Sequence, residues 1–331
     1  MSQEADKTLS RFSPADFAEQ VSAARARIRS SIVETPLEPV PGLVADLPVE
    51  LFFKREDVQH TGSFKVRGAA NKILSLTPAQ RNAGVIAASN GNHGLAVAAA
   101  ARRAGVSAEV FVSAHVSQSK AQRIEQMGAK IRRVGNDPLE AELAARRIAG
   151  ELNKVFISPY NDLEVICGQG TIAAELVQQN NGLDAVYVAV GGGGLIGGIG
   201  GYLKGVSAET EVVGCWPENS PVMYESIRAG RITNIHERPT LSESTAGGLE
   251  PGSVTLPICE QVIDSSVLVS EDEIAEAMRR VHNLQGWMIE GAAAVAVAAF
   301  LKEAERYEGK SVAIVICGGN VSSEVLRRVG I

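Results

Sequence analysis

The chain has 331 residues, of which 45% are hydrophobic and 21% are charged, and its formal net charge is −6 at pH 7. This length exceeds the size at which one hydrophobic core usually stops growing, so we expect two domains. The composition excludes disordered, collagen-like and coiled-coil proteins, and the acidic balance argues against nucleic acid as a partner.

The N-terminal and cysteine patterns bear on the cellular setting. The sequence has no basic segment followed by an apolar run and no stretch of about 18 apolar residues, so neither a signal peptide nor a membrane span is predicted. The four cysteines are widely spaced and form no Cys-x-x-Cys pair, which indicates a reduced, cytoplasmic setting.

From about residue 84, short β-branched segments alternate with alanine-rich helical segments. This alternation predicts an α/β fold with parallel sheets covered by helices. The predicted strands are 84–88, 109–112, 130–134, 185–190, 211–215 and 311–317. The predicted helices are 94–103, 118–127, 138–152, 168–179, 196–203, 271–284 and 290–306. Residues 218–257 are rich in Pro, Gly, Ser and Thr and are expected to form an extended loop with short helices near a site.

Four consecutive glycines, Gly191, Gly192, Gly193 and Gly194, follow the strand predicted at 185–190 and precede a helix. Glycine permits a tight turn and a close backbone approach, and the amide groups of such a turn attract anions together with the helix N-terminus. The segment therefore predicts a phosphate site at the carboxyl end of a strand.

A dinucleotide site and a closely packed strand-to-helix turn are the alternative interpretations of this glycine segment. Gly192, Gly194 and Gly197 satisfy the G-x-G-x-x-G pattern. That pattern also requires an acidic residue at the end of the next strand, whereas Glu209 and Glu211 precede the strand residues Val212 to Cys215. We therefore favour the phosphate site.

Lys65 follows the turn signal Thr61-Gly62 and starts a stretch with helical periodicity. The dipole at a helix N-terminus disfavours an ammonium group, and a lowered pKa is what a lysine needs to form a Schiff base. The sequence thus makes Lys65 a candidate for covalent catalysis.

A second polar loop, Ser89-Asn90-Gly91-Asn92-His93-Gly94, follows the strand predicted at 84–88. Its backbone amides could hold a substrate carboxylate, and an Asn side chain could bond a phenolic oxygen. Ser89, Asn90, Gly91 and His93 are the predicted substrate-binding residues. His93 taken alone is more typical of a structural hydrogen bond than of a catalytic base.

The segments SFKVRGA (63–69), SNGNHG (89–94) and GGGGLIGG (191–198) resemble the fold-type II enzymes that use pyridoxal 5'-phosphate (PLP), especially the threonine/serine dehydratase and serine racemase group. Gly168-Gln-Gly-Thr171 and Cys317-Gly-Gly-Asn320 extend the resemblance, which covers about residues 15 to 330. It implies a two-domain α/β fold like that of the tryptophan synthase β chain. The expected large, PLP-binding domain is 1–56 with 157–331, the small domain is 57–156, and a homodimer is expected.

The resemblance also implies roles for the matching positions. Lys65 would carry PLP as a Schiff base, Asn92 would contact its 3'-oxygen, and Cys317 would face its pyridine nitrogen. The backbones of Gly191 to Gly194 and of Leu195 would bind its phosphate. A neutral thiol at the ring nitrogen weakens the electron sink compared with an Asp, which suits β-elimination.

The expected reaction is removal of the α-proton by Lys65 and loss of the β-hydroxyl of a 3-hydroxy amino acid, giving a 2-oxo acid and ammonia. β-Replacement and serine racemase-like activity remain alternatives within the PLP enzymes. A nicotinamide dehydrogenase and a non-catalytic PLP-binding protein are the alternatives from other classes.

Several positions depart from the family pattern. The racemase serine is replaced by Asn90, so efficient racemisation is not expected unless Ser89 takes that role. Trp216 and Val222 stand where relatives place acidic ligands for a cation, so no metal site is predicted, although Glu218 lies between them. Ala-rich residues follow Glu290 in place of the usual pattern. These departures suggest a specialised substrate, such as one bulkier than threonine, as in a dehydratase of hydroxyectoine breakdown or one that acts on another 3-hydroxy amino acid. A catabolic role is expected because the given sequence ends just after the C-G-G-N segment, without the regulatory domain of biosynthetic threonine deaminases.

Overall fold

The computed structural model describes residues 13–331 and has two β-sheets covered by helices. The strands are β1 Leu37–Pro39, β2 Glu50–Arg55, β3 Val85–Ala88, β4 Ala108–Val112, β5 Lys130–Arg133, β6 Val155–Phe156, β7 Ala185–Ala189, β8 Glu211–Pro217, β9 Ser265–Val269 and β10 Ser311–Ile316. One sheet has the order β1-β2-β10-β7-β8-β9, and the other has the order β5-β4-β3-β6. All neighbouring strands run parallel except β1, which pairs antiparallel with β2.

The helices lie between these strands and on their faces. Those before residue 180 are α1 Pro14–Ile28, α2 Lys65–Ser75, α3 Pro78–Ala83, α4 Asn92–Ala104, α5 Gln118–Gln126, α6 Pro138–Glu151 and α7 Leu163–Gln179. The later ones are α8 Gly194–Val206, α9 Val222–Ala229, α10 Thr255–Val262, α11 Glu271–Gln285, α12 Gly291–Glu303 and α13 Ser323–Val329. Within residues 13–331, no helix combines the length and the apolar character that crossing a membrane requires.

The six-stranded sheet has the larger core. Every residue of β7 and β10 is buried, as expected for central parallel strands with helices on both faces. Helix α12 is buried along Gly291 to Phe300 and packs against this sheet, because its small alanine side chains allow a close approach. The sheet therefore places the carboxyl ends of β7 and β10 side by side at one edge.

Helix α7 holds two other helices at backbone contact distance. A Cβ atom on Gly168 would lie 2.6 Å from the Cα of Gly68 in α2, and one on Gly170 would lie 2.7 Å from the carbonyl oxygen of Gly198 in α8. The Gly168-Gln-Gly-Thr segment is thus a close-packing motif. It fixes the helix that begins at Lys65 and the helix that begins at Gly194 on one rigid element.

The predicted α/β class and parallel sheets are confirmed, and each predicted strand and helix has a counterpart at nearly the same residues. Three differences stand out. Helix α7 begins at Leu163, because Asp162 caps it by accepting hydrogen bonds from the backbone of Glu164 and Val165. Residues 304–307 continue the last long helix as a 3₁₀ turn. Strands β1, β2, β6 and β9 were not predicted.

Candidate active site

A cavity of about 1360 Å³ opens between the two sheets. The elements that reach it include the carboxyl ends of β7 and β10, the starts of α2 and α4, helix α6 and the loop before α10. Its lining includes all eight positions predicted to bind the cofactor, namely Lys65, Asn92, Gly191, Gly192, Gly193, Gly194, Leu195 and Cys317. Residues as far apart in the chain as Lys65 and Cys317, separated by 252 positions, therefore meet in one place.

Lys65 is the first residue of α2, and the turn before it is bonded to the end of β10. The backbone N–H of Phe64 donates to the carbonyl of Cys317 at 3.0 Å, and Ser63 forms an antiparallel bridge with Gly318. The Nζ of Lys65 donates to the carbonyl oxygen of Pro159 at 2.9 Å. Burial lowers the pKa of Lys65 to about 8, against the opposing effects of Cys317 and Glu290. A substantial fraction of this amine is neutral near physiological pH.

The glycine loop after β7 has no room for side chains. A Cβ atom on Gly191 would lie 2.8 Å from the backbone of Thr245, and one on Gly192 would lie 2.5 Å from the ring of Tyr160. Gly193 has φ +85°, which L-residues rarely adopt, and α8 starts at the next residue. Backbone amides therefore form the surface of the cavity here, beside the positive end of a helix dipole.

Cys317 and Glu290 form the buried end of the site. Their side chains approach to 4.0 Å between Sγ and Oε1. Burial, together with the carboxylate of Glu290, raises the pKa of Cys317 well above its usual value, so the thiol is neutral. Burial also raises the pKa of Glu290, although hydrogen bonds from Asn92 and Ser244 oppose that effect.

Asn92 is the first residue of α4 and reaches across the cavity to this pair. Its Nδ2 donates to both carboxylate oxygens of Glu290, at 3.1 and 2.9 Å, and its Oδ1 accepts from the Nδ2 of Asn320 at 2.8 Å. The Cys317-Gly-Gly-Asn320 segment thus contributes both a cavity-lining thiol and a hydrogen bond to Asn92.

The other residues of the polar loop do not line the cavity. The Oγ of Ser89 accepts from the N–H of Gly91 at 3.1 Å, and the amide of Asn90 exchanges two 3.0 Å hydrogen bonds with Ser113. His93 is buried with Nε2 2.9 Å from the carbonyl oxygen of Ile157, and burial and the nearby Lys65 lower its pKa to about 3. His93 is therefore a neutral structural residue in this state. The predicted substrate contacts of this loop remain a prediction.

The segment Pro159-Tyr160-Asn161 has site residues that sequence reasoning missed. Pro159 accepts from Lys65, the ring of Tyr160 covers Gly192, and the Oη of Tyr160 accepts from the N–H of Glu250 at 2.9 Å. The sequence feature that could have identified this segment is its position directly after strand β6. That strand has only two residues, too short for a periodic pattern.

No group of three or more His, Cys, Asp and Glu side chains within residues 13–331 is arranged to hold a metal ion. Trp216 and Val222, at the positions where a cation ligand was considered, are buried among apolar residues of the core.

The fold and the site together define a two-domain α/β enzyme in which a partly buried lysine and a glycine loop at a helix N-terminus line one cavity. The description "Pyridoxal-phosphate dependent enzyme" belongs to the family model that matches residues 28–318. The chain belongs to this family, whose members use PLP as cofactor.

Individual relatives place the chain near the dehydratases. It is 38% identical over 311 residues to L-threonine ammonia-lyase of Thermotoga maritima, covering 94% of this chain and 77% of the relative. It is 33% identical to beta-hydroxyaspartate dehydratase of Paracoccus denitrificans, covering 93% of this chain and 97% of the relative. The processed form of threonine deaminase isoform 2 from Solanum lycopersicum superposes with a TM-score of 0.90 at 30% identity, covering 95% of this chain and 92% of that one.

The residues present fit PLP. A phosphate needs backbone donors without side chains in front of them, and the crowded glycines 191–194 satisfy this condition. An aldehyde needs an amine that can lose its proton, and Lys65, with its lowered pKa, satisfies that condition.

Proposed function

We propose that this protein is a PLP-dependent dehydratase, or ammonia-lyase, that converts a 3-hydroxy amino acid to a 2-oxo acid and ammonia. The observation that carries the proposal is the meeting of Lys65, the glycine loop and Cys317 in one cavity. The similarity to threonine and beta-hydroxyaspartate dehydratases supports the reaction class.

Each residue of the site has a proposed task in holding the cofactor. Lys65 would attach it, the amides of residues 191–195 would bind its phosphate, and Asn92 would donate a hydrogen bond to its 3'-oxygen. Cys317 would face its ring nitrogen and, as a neutral thiol, would leave that nitrogen without a charged partner. When bound, PLP withdraws electrons from the α-carbon of the amino acid and so makes the α-proton removable.

Lys65 supplies the proton transfer. Displaced by the substrate amine, its neutral Nζ takes the α-proton, and a positioned base of this kind contributes about 10² to 10⁴ to the rate. The β-hydroxyl would then leave as water after it receives a proton, which the ammonium of Lys65 can return, and the released product would hydrolyse to the 2-oxo acid and ammonia. The burial that lowers the pKa of Lys65 is therefore part of the catalytic design.

Racemisation requires a second acid/base on the face opposite Lys65. The amide of Asn90 cannot lose a proton and is engaged by Ser113, while the hydroxyl of Ser89 turns to Gly91. Both contacts support elimination over a racemase activity. No particular contact favours β-replacement.

The proposal extends to the setting of the enzyme. We infer a homodimer in the cytoplasm, with a large domain of residues 1–56 and 157–331, of which 1–12 lie outside the described residues, and a small domain of residues 57–156. The four buried cysteines, none of which forms a disulfide, support a reduced compartment.

Ammonia release tests the function. Purified holoenzyme is offered L-threonine, L-serine, 3-hydroxyaspartate and bulkier 3-hydroxy amino acids, alongside Lys65→Ala and the control Lys72→Ala. Lys72 lies on the same helix but pairs with Asp162 at 2.6 Å, so its loss should leave the activity in place. Release that disappears in Lys65→Ala alone would establish the lyase and its substrate class. No release from any substrate, despite bound PLP, would reject it.

A further inference from the structure

A chain of hydrogen bonds runs from the surface of α5 to the candidate active site. The Nη2 of the exposed Arg123 donates to the Oδ1 of Asn320 at 2.7 Å. The Nδ2 of Asn320 donates to the Oδ1 of Asn92 at 2.8 Å, and the Nδ2 of Asn92 donates to Glu290. We call Arg123, Asn320, Asn92 and Glu290 the amide relay.

The groups at the ends of the relay fix its direction. A guanidinium only donates hydrogen bonds, so it holds the oxygen of the Asn320 amide, while the carbonyl of Thr61 accepts from the nitrogen at 2.8 Å. Asn320 must then present N–H to Asn92, and Asn92 must present N–H toward Glu290. Because an amide turned by 180° exchanges its donor and acceptor, this order decides which atom of Asn92 faces the cavity.

The relay also joins the two halves of the molecule. Helix α5 packs through Ala121 and Ile124 into the core around the four-stranded sheet. Asn320 follows β10 of the six-stranded sheet. The bond between Arg123 and Asn320 therefore forms only when α5 lies against the end of β10.

We propose that Arg123 is a positioning residue that holds the amide of Asn92 with its N–H toward the cofactor, acting through Asn320. This inference rests on the proposed contact between Asn92 and PLP. Arg123 does not line the cavity. From the surface of the protein, it determines which way the donor and acceptor atoms of the Asn320 and Asn92 amides point.

We test the inference by replacing Arg123, a hydrogen-bond donor, with a residue that forms no hydrogen bond and with one that only accepts. Arg123→Met removes the donor, so a water can take its place and PLP binding should weaken about two- to threefold. Arg123→Glu offers an acceptor, which repels the Oδ1 of Asn320 and drives the amide to turn. We expect PLP binding to weaken about tenfold and the ratio of the two visible absorption bands of the bound cofactor to change.

Lys120 gives the matched control. It lies one turn before Arg123 on α5 and pairs with Glu243 at 3.7 Å, outside the relay. Lys120→Glu reverses the same charge and should leave PLP affinity within about twofold of the wild type, with an unchanged spectrum. Equal effects of the two reversals would overturn the inference, because they would show a general charge effect. An unchanged spectrum and affinity in both Arg123→Glu and Arg123→Met would overturn it as well.

A double-mutant cycle tests the path through Asn320. In an Asn320→Ala background, Arg123→Glu should change the spectrum and the affinity no further. Additive effects would contradict the relay. The spectrum and the PLP affinity do not depend on turnover, so they test the relay even if no tested amino acid is a substrate. If Arg123→Glu releases ammonia and its spectrum is unaltered, the relay is rejected while the proposed function is kept. Circular dichroism of each variant checks that it is folded.

Discussion

The burial of Lys65 that favours its reaction also affects the stability of the fold. Its pKa of about 8 lies below the ordinary value of 10.5 because burial penalises the ammonium. Between these two values the unfolded chain binds more protons at this site than the folded chain. The stability of the PLP-free protein therefore gains from this residue as the pH rises from about 8 to 10.5, and the full penalty is present below pH 8.

The first prediction follows from this penalty. In the PLP-free protein, Lys65→Met should raise the free energy of unfolding by about 1 to 3 kcal/mol at pH 7, because no ammonium is buried. The gain should shrink as the pH rises toward 10.5. Urea unfolding at several pH values measures it. A Lys65→Met protein that is less stable than the wild type at pH 7 would contradict the assigned cause.

Sequence could predict the residues of the site that stand in recognisable motifs. Lys65, Asn92 and Cys317 each follow a short apolar strand or a turn, and all three line the cavity. Tyr160 and Arg123 could not be found this way, because their roles come from contacts with Gly192 and Asn320, which are distant in the chain. Chain order carries no information about such contacts.

At the scale of elements, the start of α8 depends on its glycines being free of side chains. Gly193 has φ +85°, and a Cβ there would lie 2.7 Å from the Cε of Met223 and 2.8 Å from the Sγ of Cys259. A Cβ on Gly197, one turn later, would lie 3.2 Å from the Cγ2 of Ile258 and 3.8 Å from that of Ile166. A comparison of Gly193 with Gly197 therefore distinguishes the requirement for glycine in the phosphate-binding turn from the requirement for a small residue in ordinary helix packing.

The second prediction compares alanine at these two glycines. Gly193→Ala should weaken PLP binding more than about tenfold, because a residue at positive φ is strained by about 1 to 2 kcal/mol and the added methyl must displace its neighbours. Gly197→Ala should keep PLP, since alanine favours the helix and Ile258 can shift slightly. Fluorescence titration with PLP measures both. Equal affinities would show that the turn does not need glycine at 193.

A buried ionic network holds the helix of Lys65. Arg67 has no exposed side-chain surface, and it pairs with Glu56 at 2.7 Å and with Glu175 of α7 at 2.6 Å. Lys54 of β2 pairs with Glu175 at 2.6 Å as well. The network ties β2, α2 and α7 together next to the site.

The third prediction concerns loss of one member of this network. Arg67→Met should lower the free energy of unfolding by about 3 to 5 kcal/mol, because it leaves two carboxylates buried with incomplete compensation. Arg280→Met, which breaks an exposed pair with Glu276 on α11, should change it by less than about 1 kcal/mol. Chemical denaturation gives both values. A similar small loss for the two variants would mean that the buried charges find other partners.

The same network explains why strand β2 is not predicted from the sequence. Strand β2 ends in Lys54 and Arg55, and two charged residues do not suggest a buried strand. Lys54 is buried because Glu175, 121 residues later, neutralises it. By contrast, β7 and β10 are apolar apart from Ser311, and both are predicted almost to the residue. Local pattern predicts an element where burial follows from hydrophobicity, and it fails where burial follows from a distant partner.

For the whole molecule, charged pairs link the two sides of the cavity, and the pair of Arg146 with Glu250 is one of them, besides the pair of Lys120 with Glu243. The Nη2 of Arg146, on α6, pairs with the Oε1 of Glu250 at 2.5 Å, and the other oxygen of Glu250 accepts from Asn161 at 2.9 Å. Helix α6 packs on β3 and β4, whereas Glu250 lies in the loop before α10. The link thus holds the four-stranded sheet layer close to the loop that borders the site.

The fourth prediction is that Arg146→Met opens the mouth of the cavity without touching the reacting groups. Substrate binding should weaken, with KM rising about two- to tenfold and kcat staying within about twofold, because a contact made equally in the ground and transition states affects binding alone. The adjacent Arg147 pairs with Glu151 on the exposed side of α6, so Arg147→Met is the matched control and should change neither constant. Steady-state kinetics of ammonia release separates the two constants. A fall in kcat with constant KM would instead mean that the closed mouth stabilises the transition state, through the exclusion of water that closing an active site produces.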